Sequence, residues 1–483
     1  MSFKKRILCI IYEQGNFQLA RILAQTGRDS AMFDTILWSP YALPNGPSYS
    51  EAALAAQSVY VEENTLEGGL ADIQSLLSNW LTAKPARLPL PKKREVQRWF
   101  KRKLESPAKI LIGKLERGER LDVLRAADRN LRRTAFCEDW LVRLGIDAIV
   151  FAEDNVERDS FAWIAAARRR GIRTVVSSYG ALSLNEAEDA YKYSKTHAIG
   201  GPQLSLFQQH LPKWLAEGPD YVITRLPWIE AIGRELISEA PFNPWLVNTG
   251  QPDLIALESR VMEKNYLTQN FHSTRLAVLG HPLHDRLAAV RQEKAERRAY
   301  LAKRYNFDID KPFIVVAMPP NQLTRRDSEF ATYSELTAAF HRIPEEITSA
   351  NIVISPHPTT SIAEIEDMEA AGARVERVSV AELLPLADLF VASVSTTIKW
   401  ALALGIAVID FDCYGYNYPD YRDLEQVVTV SDTAEFKNAL LRWRTGETRP
   451  RLDSAARRDA VRWGEIDGHA LDRLIASCLS ETV

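Results

Sequence analysis

The sequence predicts an α/β protein made of two Rossmann-like, doubly wound domains. Short apolar runs rich in Val and Ile, among them Ile7–Tyr12, Ala148–Ala152, Ile352–Ile354, Leu389–Val391 and Ala407–Phe411, alternate with helical segments. That alternation is the pattern of parallel strands joined by crossover helices. A chain of 483 residues is also long for one core and suggests two domains of roughly 150–250 residues each.

Composition narrows the class further. Apolar content of 46% and charged content of 25% are ordinary for a globular protein. With a net charge of −3 there is no global basic field, so nucleic acid is not an expected partner. Cys9, Cys137, Cys413 and Cys478 are scattered without zinc or dithiol spacing, which suits a reducing, cytoplasmic setting. The run Ile7–Tyr12 is too short for a signal peptide's apolar region, and no other run could span a bilayer. No solenoid-period repeat or low-complexity segment is visible.

From the N-terminus, ILCIIY reads as a buried strand, Glu13-Gln14-Gly15-Asn16 as a loop and Phe17–Thr26 as a helix. This strand–loop–helix unit lacks GxGxxG, which disfavours a dinucleotide. Glu13 stands at the strand's carboxyl end, where it is either a catalytic carboxylate or an ordinary loop acid. Ser39–Ser48 reads as loop and Tyr49–Trp80 as largely helical.

Lys84–Arg133 holds seventeen Lys or Arg against six Asp or Glu, with Val96, Trp99, Phe100, Leu104 and Ile110–Ile112 interleaved. Two readings stand. A basic helix with one apolar side can lie in an anionic membrane surface, or the segment is a solvated helical hairpin packed on its domain.

Ala148–Ala152 is expected as a strand, Arg158–Arg169 as a helix stopped by Gly171, and Arg173–Ser177 as the next strand. Glu153, Asp154 and Asp159 lie at this strand end. Crowded, partly buried carboxylates can supply a general base, because their pKa rises toward the working range. Equally, Asp154 and Asn155 can simply make the turn, and Asp159 or Ser160 cap the helix. Further strands are expected at Tyr221–Thr224, Asp253–Glu258 and Arg275–Leu279, followed by Gly280-His281-Pro282-Leu283-His284-Asp285, a helix Asp285–Tyr305 and a second sheet opening at FIVVAMPPN, Phe313–Asn321. The change of domain therefore lies near 282–312. It gives an N-terminal domain at 1–285, with its basic insert at about 84–134, and a C-terminal domain at 286–460. A closing helix at 461–483 has the option of crossing back to the first domain.

In an open parallel sheet, ligands bind beyond the carboxyl ends of the strands. In the second domain these ends carry Ser355-Pro356-His357-Pro358, Ser393-Val394-Ser395-Thr396-Thr397, and Asp410 with Asp412. Ser395–Thr397 precede the apolar helix Ile398–Leu404, where hydroxyl and N–H groups at a helix start either bind phosphate or simply cap. His357, restrained between two prolines, is either a loop residue or an imidazole aimed at a phosphoryl oxygen. Together these groups suggest a site for a phosphorylated ligand. Asp410 and Asp412 are turn residues, ribose contacts or, less readily, metal ligands.

This order of parts resembles the two-domain GT-B superfamily: a first doubly wound domain, GHPLHD, FIVVAMPPN, SPHP, a small-residue cluster before ALALGIAVIDFD, and a final WGEIDGHALDRLIA helix. Within it the chain is similar to bacterial surface-polysaccharide glycosyltransferases of the sialyl- and Kdo-transferase kind and to CDP-glycerol glycerophosphotransferases. A more distant likeness is to the non-hydrolysing UDP-N-acetylglucosamine 2-epimerases. The resemblance covers nearly the whole chain by layout and rests on no single diagnostic motif.

The resemblance implies two Rossmann-like domains facing across a cleft, with a nucleotide-sugar donor on the C-terminal domain and acceptor and base on the N-terminal one. Carried over, the His-Pro pair is His357-Pro358 and the serine-rich cluster is Ser395-Thr396-Thr397. Asn321 and His281 complete the donor-binding set. The epimerases' Gly-Asn-Pro has become Gly280-His281-Pro282 and their Ser-Gly-Gly loop is absent, which weighs against an epimerase. The implied activity is transfer of a sugar, by preference a CMP-linked acidic one, to a glycan or lipid-linked acceptor in capsule or lipopolysaccharide assembly. Asp154, then Glu153, then Glu13 are the candidates for the base. No cofactor and no metal is required. Membrane-linked acceptors would give the 84–134 segment a peripheral role at the inner membrane face. The alternatives are a CDP-glycerol-type glycerophosphotransferase, a UDP-sugar-dependent transferase or epimerase, and a non-enzymatic nucleotide-binding regulator.

Overall fold

The first domain grows from β1 (Lys5–Ile10), whose last four residues are fully buried. Beside it run β2 (Phe33–Ser39), β3 (Ser58–Val61), β4 (Ala148–Phe151), β5 (Arg173–Ser177), β8 (Leu254–Leu257) and β9 (Leu276–Val278). A small antiparallel hairpin, β6 (Leu215–Gly218) with β7 (Tyr221–Thr224), stands apart from this sheet. The sheet order is β3-β2-β1-β4-β5-β8-β9. Pairing is parallel from β3 through to β8. The chain winds outward from β1 to β3 and then returns to β4 on the other side of β1. That reversal opens a crevice at the carboxyl ends of β1 and β4.

The structure is a computed structural model and describes residues 4–12, 17–39, 58–61, 113–178, 184–323, 328–393, 395–416, 421 and 423–480. By contacts the chain divides into two units. One comprises Met1–Ala256, Tyr266–Ala277 and Ile475–Val483; the other comprises Leu257–Asn265 and Val278–Leu474.

Two expectations for the first domain change. Ser58–Val61, placed within a helical stretch, is a strand paired with β2, because the β-branched and aromatic run SVYV suits a pleated ladder. The rest of 40–80, like 84–112 and Glu13, lies outside the described residues. The C-terminal part of the basic segment enters a 28-residue helix, Arg117–Leu144, that buries Val123, Ala126, Ala127, Asn130, Thr134, Cys137 and Leu141. These positions fall on one helical stripe, so this part is a core helix. Its arginines are engaged: Arg125 with Asp122 at 3.0 Å, Arg132 with Asp128 at 2.7 Å, and Arg129 with Glu230. Helix Ser160–Arg170 stops at Gly171 with φ 66°, as the left-handed cap requires.

The second domain is a five-stranded parallel sheet of β10 (Phe313–Ala317), β11 (Asn351–Ser355), β12 (Leu389–Ala392), β13 (Ala407–Phe411) and β14 (Val427–Val430). Its order, β11-β10-β12-β13-β14, again reverses around the first strand, so the crevice here lies between β10 and β12. One side of the core is an aromatic stack: Phe411 lies 5.2 Å from Phe340 and 4.7 Å from Phe436. Each such pair adds about 0.5–1.5 kcal/mol beyond its burial. The helix expected at Asp285–Tyr305 is two, Pro282–Gln292 and Lys294–Tyr305, broken at Glu293 (φ −87°, ψ 6°). The last helical stretch is Arg449–Trp463 and Ala470–Leu479.

Candidate functional site

At the end of β4 the carboxylates divide by burial. Asp154 is buried and both of its oxygens are engaged: Oδ1 accepts from Ser160 Oγ at 2.5 Å and Oδ2 from the Gly250 N–H at 2.6 Å. Its backbone is clasped as well, with Asp154 N–H donating to Asn248 Oδ1 (2.8 Å) and Asn248 N–H to Asp154 O (2.5 Å). Burial pushes the Asp154 carboxyl up, while the Ser160 hydroxyl, the Gly250 N–H and the Arg234 guanidinium pull it back. A Cβ on residue 250 would stand 2.4 Å from Asp154 Oδ2, so glycine is what lets the backbone approach. Asp154 thus clamps the Asn248-Thr249-Gly250 loop onto the end of β4.

Glu153 is half-buried at the same strand end, and Asn155 Nδ2 donates to its Oε1 at 3.1 Å. Asp159 occupies the N-cap position without a capping side-chain bond; its carboxylate accepts from Arg133 Nε at 2.7 Å. Ser160, the other candidate cap, points its hydroxyl at Asp154 instead.

The clamp continues into groups that local sequence does not announce. Asn248 Nδ2 donates to Tyr266 Oη (2.7 Å) and Ser178 Oγ (3.2 Å), and Tyr266 and Ser178 lie 2.8 Å apart. The one local sign is the Asn-Thr-Gly triplet, a turn composition, and Asn248 does take a left-handed φ of 64°.

In the second domain, register places the groups after β10, β11 and β12 on one edge: Ala317 pairs with Ser355, and Val316 with Val391. His357 is half-buried, and its Nδ1 accepts the Thr359 N–H at 3.2 Å. The same Nδ1 lies 2.7 Å from Thr359 Oγ1, so both of these contacts of the ring are to Thr359. Burial lowers the His357 pKa, so the ring is neutral near pH 7. Pro358 beside it is exposed. Ser395 Oγ accepts the Thr397 N–H at 3.2 Å and lies 2.8 Å from Thr397 Oγ1. Either hydroxyl of this pair can donate to the other, and the one that does not is left with its proton for a further acceptor. Thr396 is exposed. The following helix, Ile398–Ala403, has only six residues. Its aligned dipole is short, so the field at this helix start is weak.

The loop after β10 is held rigidly at that edge. Tyr333 Oη donates to Pro319 O at 2.8 Å and Tyr414 Oη to Pro320 O at 2.7 Å. Tyr416 Oη bonds Gln322 Oε1. Asn321 is exposed, with Oδ1 accepting the Leu323 N–H at 3.4 Å. Asp410 lies inside β13 and Asp412 just past it, and both are buried. Asp412 Oδ1 accepts the Tyr416 N–H at 2.9 Å, which is a turn role.

His281 is placed differently from the donor set. It is buried, and its Nδ1 accepts the Leu283 N–H at 3.2 Å, capping helix Pro282–Gln292. Burial drives its pKa down to about 3, so it is a neutral cap. Among the described residues, no group of three or more His, Cys, Asp or Glu side chains could hold a metal ion. No described helix is long and apolar enough to cross a membrane.

No protein-family model matches the sequence, and no curated protein matches it. Solved structures do. A candidate UDP-N-acetylglucosamine 2-epimerase from Listeria monocytogenes matches with TM-score 0.50 and 11% identity over 98% of this chain and 96% of its own. The UDP-GlcNAc 2-epimerase of Neisseria meningitidis, bound to UDP-GlcNAc, matches with TM-score 0.50 and 10% identity over 98% and 99%. The wall teichoic acid polymerase TagF aligns with TM-score 0.49 and 10% identity over 98% and 88%. At such identities the first two likenesses are ones of fold: the chain has the GT-B architecture of two Rossmann-like domains.

Proposed function

We propose that this chain is a GT-B-type transferase that takes a nucleotide-activated donor at the strand-end edge of its second domain and delivers the activated sugar to a hydroxyl acceptor. The observation carrying this reading is that one strand-end edge bears His357 after β11 and the Ser395–Thr397 hydroxyl pair after β12, on either side of β10. His357 and Ser395 follow strands two ladder spacings apart, roughly 10 Å, a span suited to a nucleotide's phosphate. As the bond between the sugar and the phosphate oxygen breaks, charge grows on the departing phosphate. The imidazole N–H and the Thr397 hydroxyl stabilise it.

In the first domain, the acceptor's proton is taken by a carboxylate at the end of β4. Glu153 fits that role better than Asp154, whose oxygens already accept from Ser160 and Gly250. We favour a CMP-linked acidic sugar as donor because the transferases this chain resembles pair a His-Pro element and a hydroxyl cluster with cytidine-nucleotide donors, and His357-Pro358 with Ser395–Thr397 match that combination. The acceptor is a glycan or a lipid-linked glycan. A UDP-sugar enzyme is the second reading, favoured by the whole-chain fold likeness to a protein bound to UDP-GlcNAc.

Titrating the purified protein with CMP, CDP, UDP, GDP and TDP, then offering CMP- and UDP-sugars with hydroxyl acceptors, separates the two. Release of CMP that depends on acceptor supports the transferase. Interconversion of a UDP-sugar without acceptor supports the second reading.

A further inference from the structure

Three donors converge on one buried carboxylate in the second unit. Glu258 is 1% exposed; its Oε1 accepts from His284 Nε2 at 2.8 Å and from Trp400 Nε1 at 2.6 Å, and its Oε2 pairs with the Lys399 ammonium. His284 is fully buried, and Lys399 and Trp400 nearly so. Burial pushes the Glu258 pKa up, but the Lys399 charge and the His284 hydrogen bond outweigh it and hold the group at about 2. It is therefore a carboxylate at every working pH.

Such a cluster is a poor way to gain stability. Desolvating a Glu–Lys pair costs about what the pairing returns, and apolar side chains of the same volume would hold the fold as well. What the cluster supplies is direction. Lys399 and Trp400 are the second and third residues of helix Ile398–Ala403, which begins where the hydroxyl loop ends. The Trp400 and Ala401 N–H groups donate to Thr397 O at 3.1 and 3.2 Å, and Ile398 N–H to Ser395 O at 3.0 Å. The two side chains that Glu258 fixes thus belong to the turn whose backbone sets Ser395 and Thr397. The loop's own bonds fix only the relation of Ser395 to Thr397. Beside the packing of helix Ile398–Ala403 on helix Arg449–Trp463 and on β12 and β13, the Glu258 contacts give this turn a directional polar anchor.

We propose that Glu258, acting through Lys399 and Trp400, is the positioning residue that aims the Ser395–Thr397 hydroxyls at the ligand's phosphate. This rests on the reading of that loop as the donor-phosphate site. The test is calorimetric titration of the full chain with the nucleoside, the nucleoside monophosphate and the nucleoside diphosphate of the best-bound base. Parent, Glu258→Gln and Trp400→Phe are compared, the last removing one donor while keeping the ring.

The affinity gained on adding phosphate should fall about tenfold in both variants, while nucleoside affinity stays within about twofold, as expected when a charge-assisted contact is misaligned. A merely structural role would lower the melting temperature and weaken nucleoside and nucleotide alike, or leave the phosphate gain untouched in Trp400→Phe. Either result overturns the proposal. A parent protein that gains nothing from phosphate overturns the donor-site reading itself, and this inference with it. That result is seen before any variant is made.

Discussion

Replacing Asp154 by Asn tests whether this residue is a clamp or a base. The side chain keeps its size, but one carboxylate oxygen becomes an NH2 group. If the amide oxygen stays on Ser160, the NH2 meets the Gly250 N–H, which now sits 2.6 Å from Oδ2, and donor faces donor. A hydrogen bond to a charged group is worth about 1.5–3 kcal/mol, and a buried donor left unsatisfied costs a further 1–3 kcal/mol. Relief of the buried charge offsets part of this, since burial pushes the Asp154 carboxyl up. The opposite flip, with the oxygen on the Gly250 N–H, the NH2 on Ser160 Oγ and the Ser160 proton on Asn155 O at 3.2 Å, avoids the clash and leaves weaker neutral bonds. The expected loss is therefore about 1–3 kcal/mol of stability in the first domain. Urea unfolding followed by tryptophan fluorescence reports it, because Trp38 and Trp163 pack there with centroids 5.0 Å apart. Glu153→Gln should behave oppositely, with stability changed by less than about 0.5 kcal/mol and transfer slowed by roughly 10²–10⁴. An Asp154→Asn protein as stable as the parent but slowed by that factor would refute the clamp and restore Asp154 as the base.

Gly250→Ala should lose about 1–3 kcal/mol in the same urea assay, because its Cβ would stand 2.4 Å from Asp154 Oδ2 and the loop must move. His281 is neutral in the fold, with its pKa held down to about 3 from 6.5 by burial. Below pH 6.5 the unfolded chain takes up a proton that the folded chain refuses. This residue's contribution is therefore complete above pH 6.5 and is lost as pH falls toward 3, at up to about 1.4 kcal/mol per pH unit. His281→Asn, whose side-chain oxygen can still cap the helix, should flatten that part of the stability–pH curve; an unchanged slope would place the linkage elsewhere. Phe411→Ala removes the central ring of the Phe340–Phe411–Phe436 stack and should cost about 3–5 kcal/mol in the second domain, read by calorimetry.

The alternation of apolar runs and helices made the parallel strands legible, because a strand buried on both faces must be apolar throughout its length. The edge residues His357 and Ser395–Thr397 were legible for the same reason: in a parallel sheet, the residues just past each strand lie at its carboxyl end. Long-range partners were not. Asp154 became a clamp through Asn248 and Gly250, and nothing local ties those positions to the end of β4. His281 looked like a ligand within a Gly-His-Pro element, yet the proline at the first helical position makes the residue before it the N-cap. Glu258 sat unremarked at a strand end because its partners come from positions 284, 399 and 400. SVYV was absorbed into a helical stretch because four residues are too few for periodicity to outvote their surroundings.

The most direct test of the central claim is thermal stabilisation of the purified protein by CMP, CDP, UDP, GDP and TDP at matched concentrations, repeated on His357→Ala and Thr397→Val. A nucleotide at 100 times its Kd should stabilise the parent by about 2.7 kcal/mol, with CMP the strongest. Both variants should lose most of that shift if, as proposed, their side chains supply the donors to phosphate. If no nucleotide stabilises the parent, or if the variants respond as the parent does, the strand-end edge of the second domain is not the donor site.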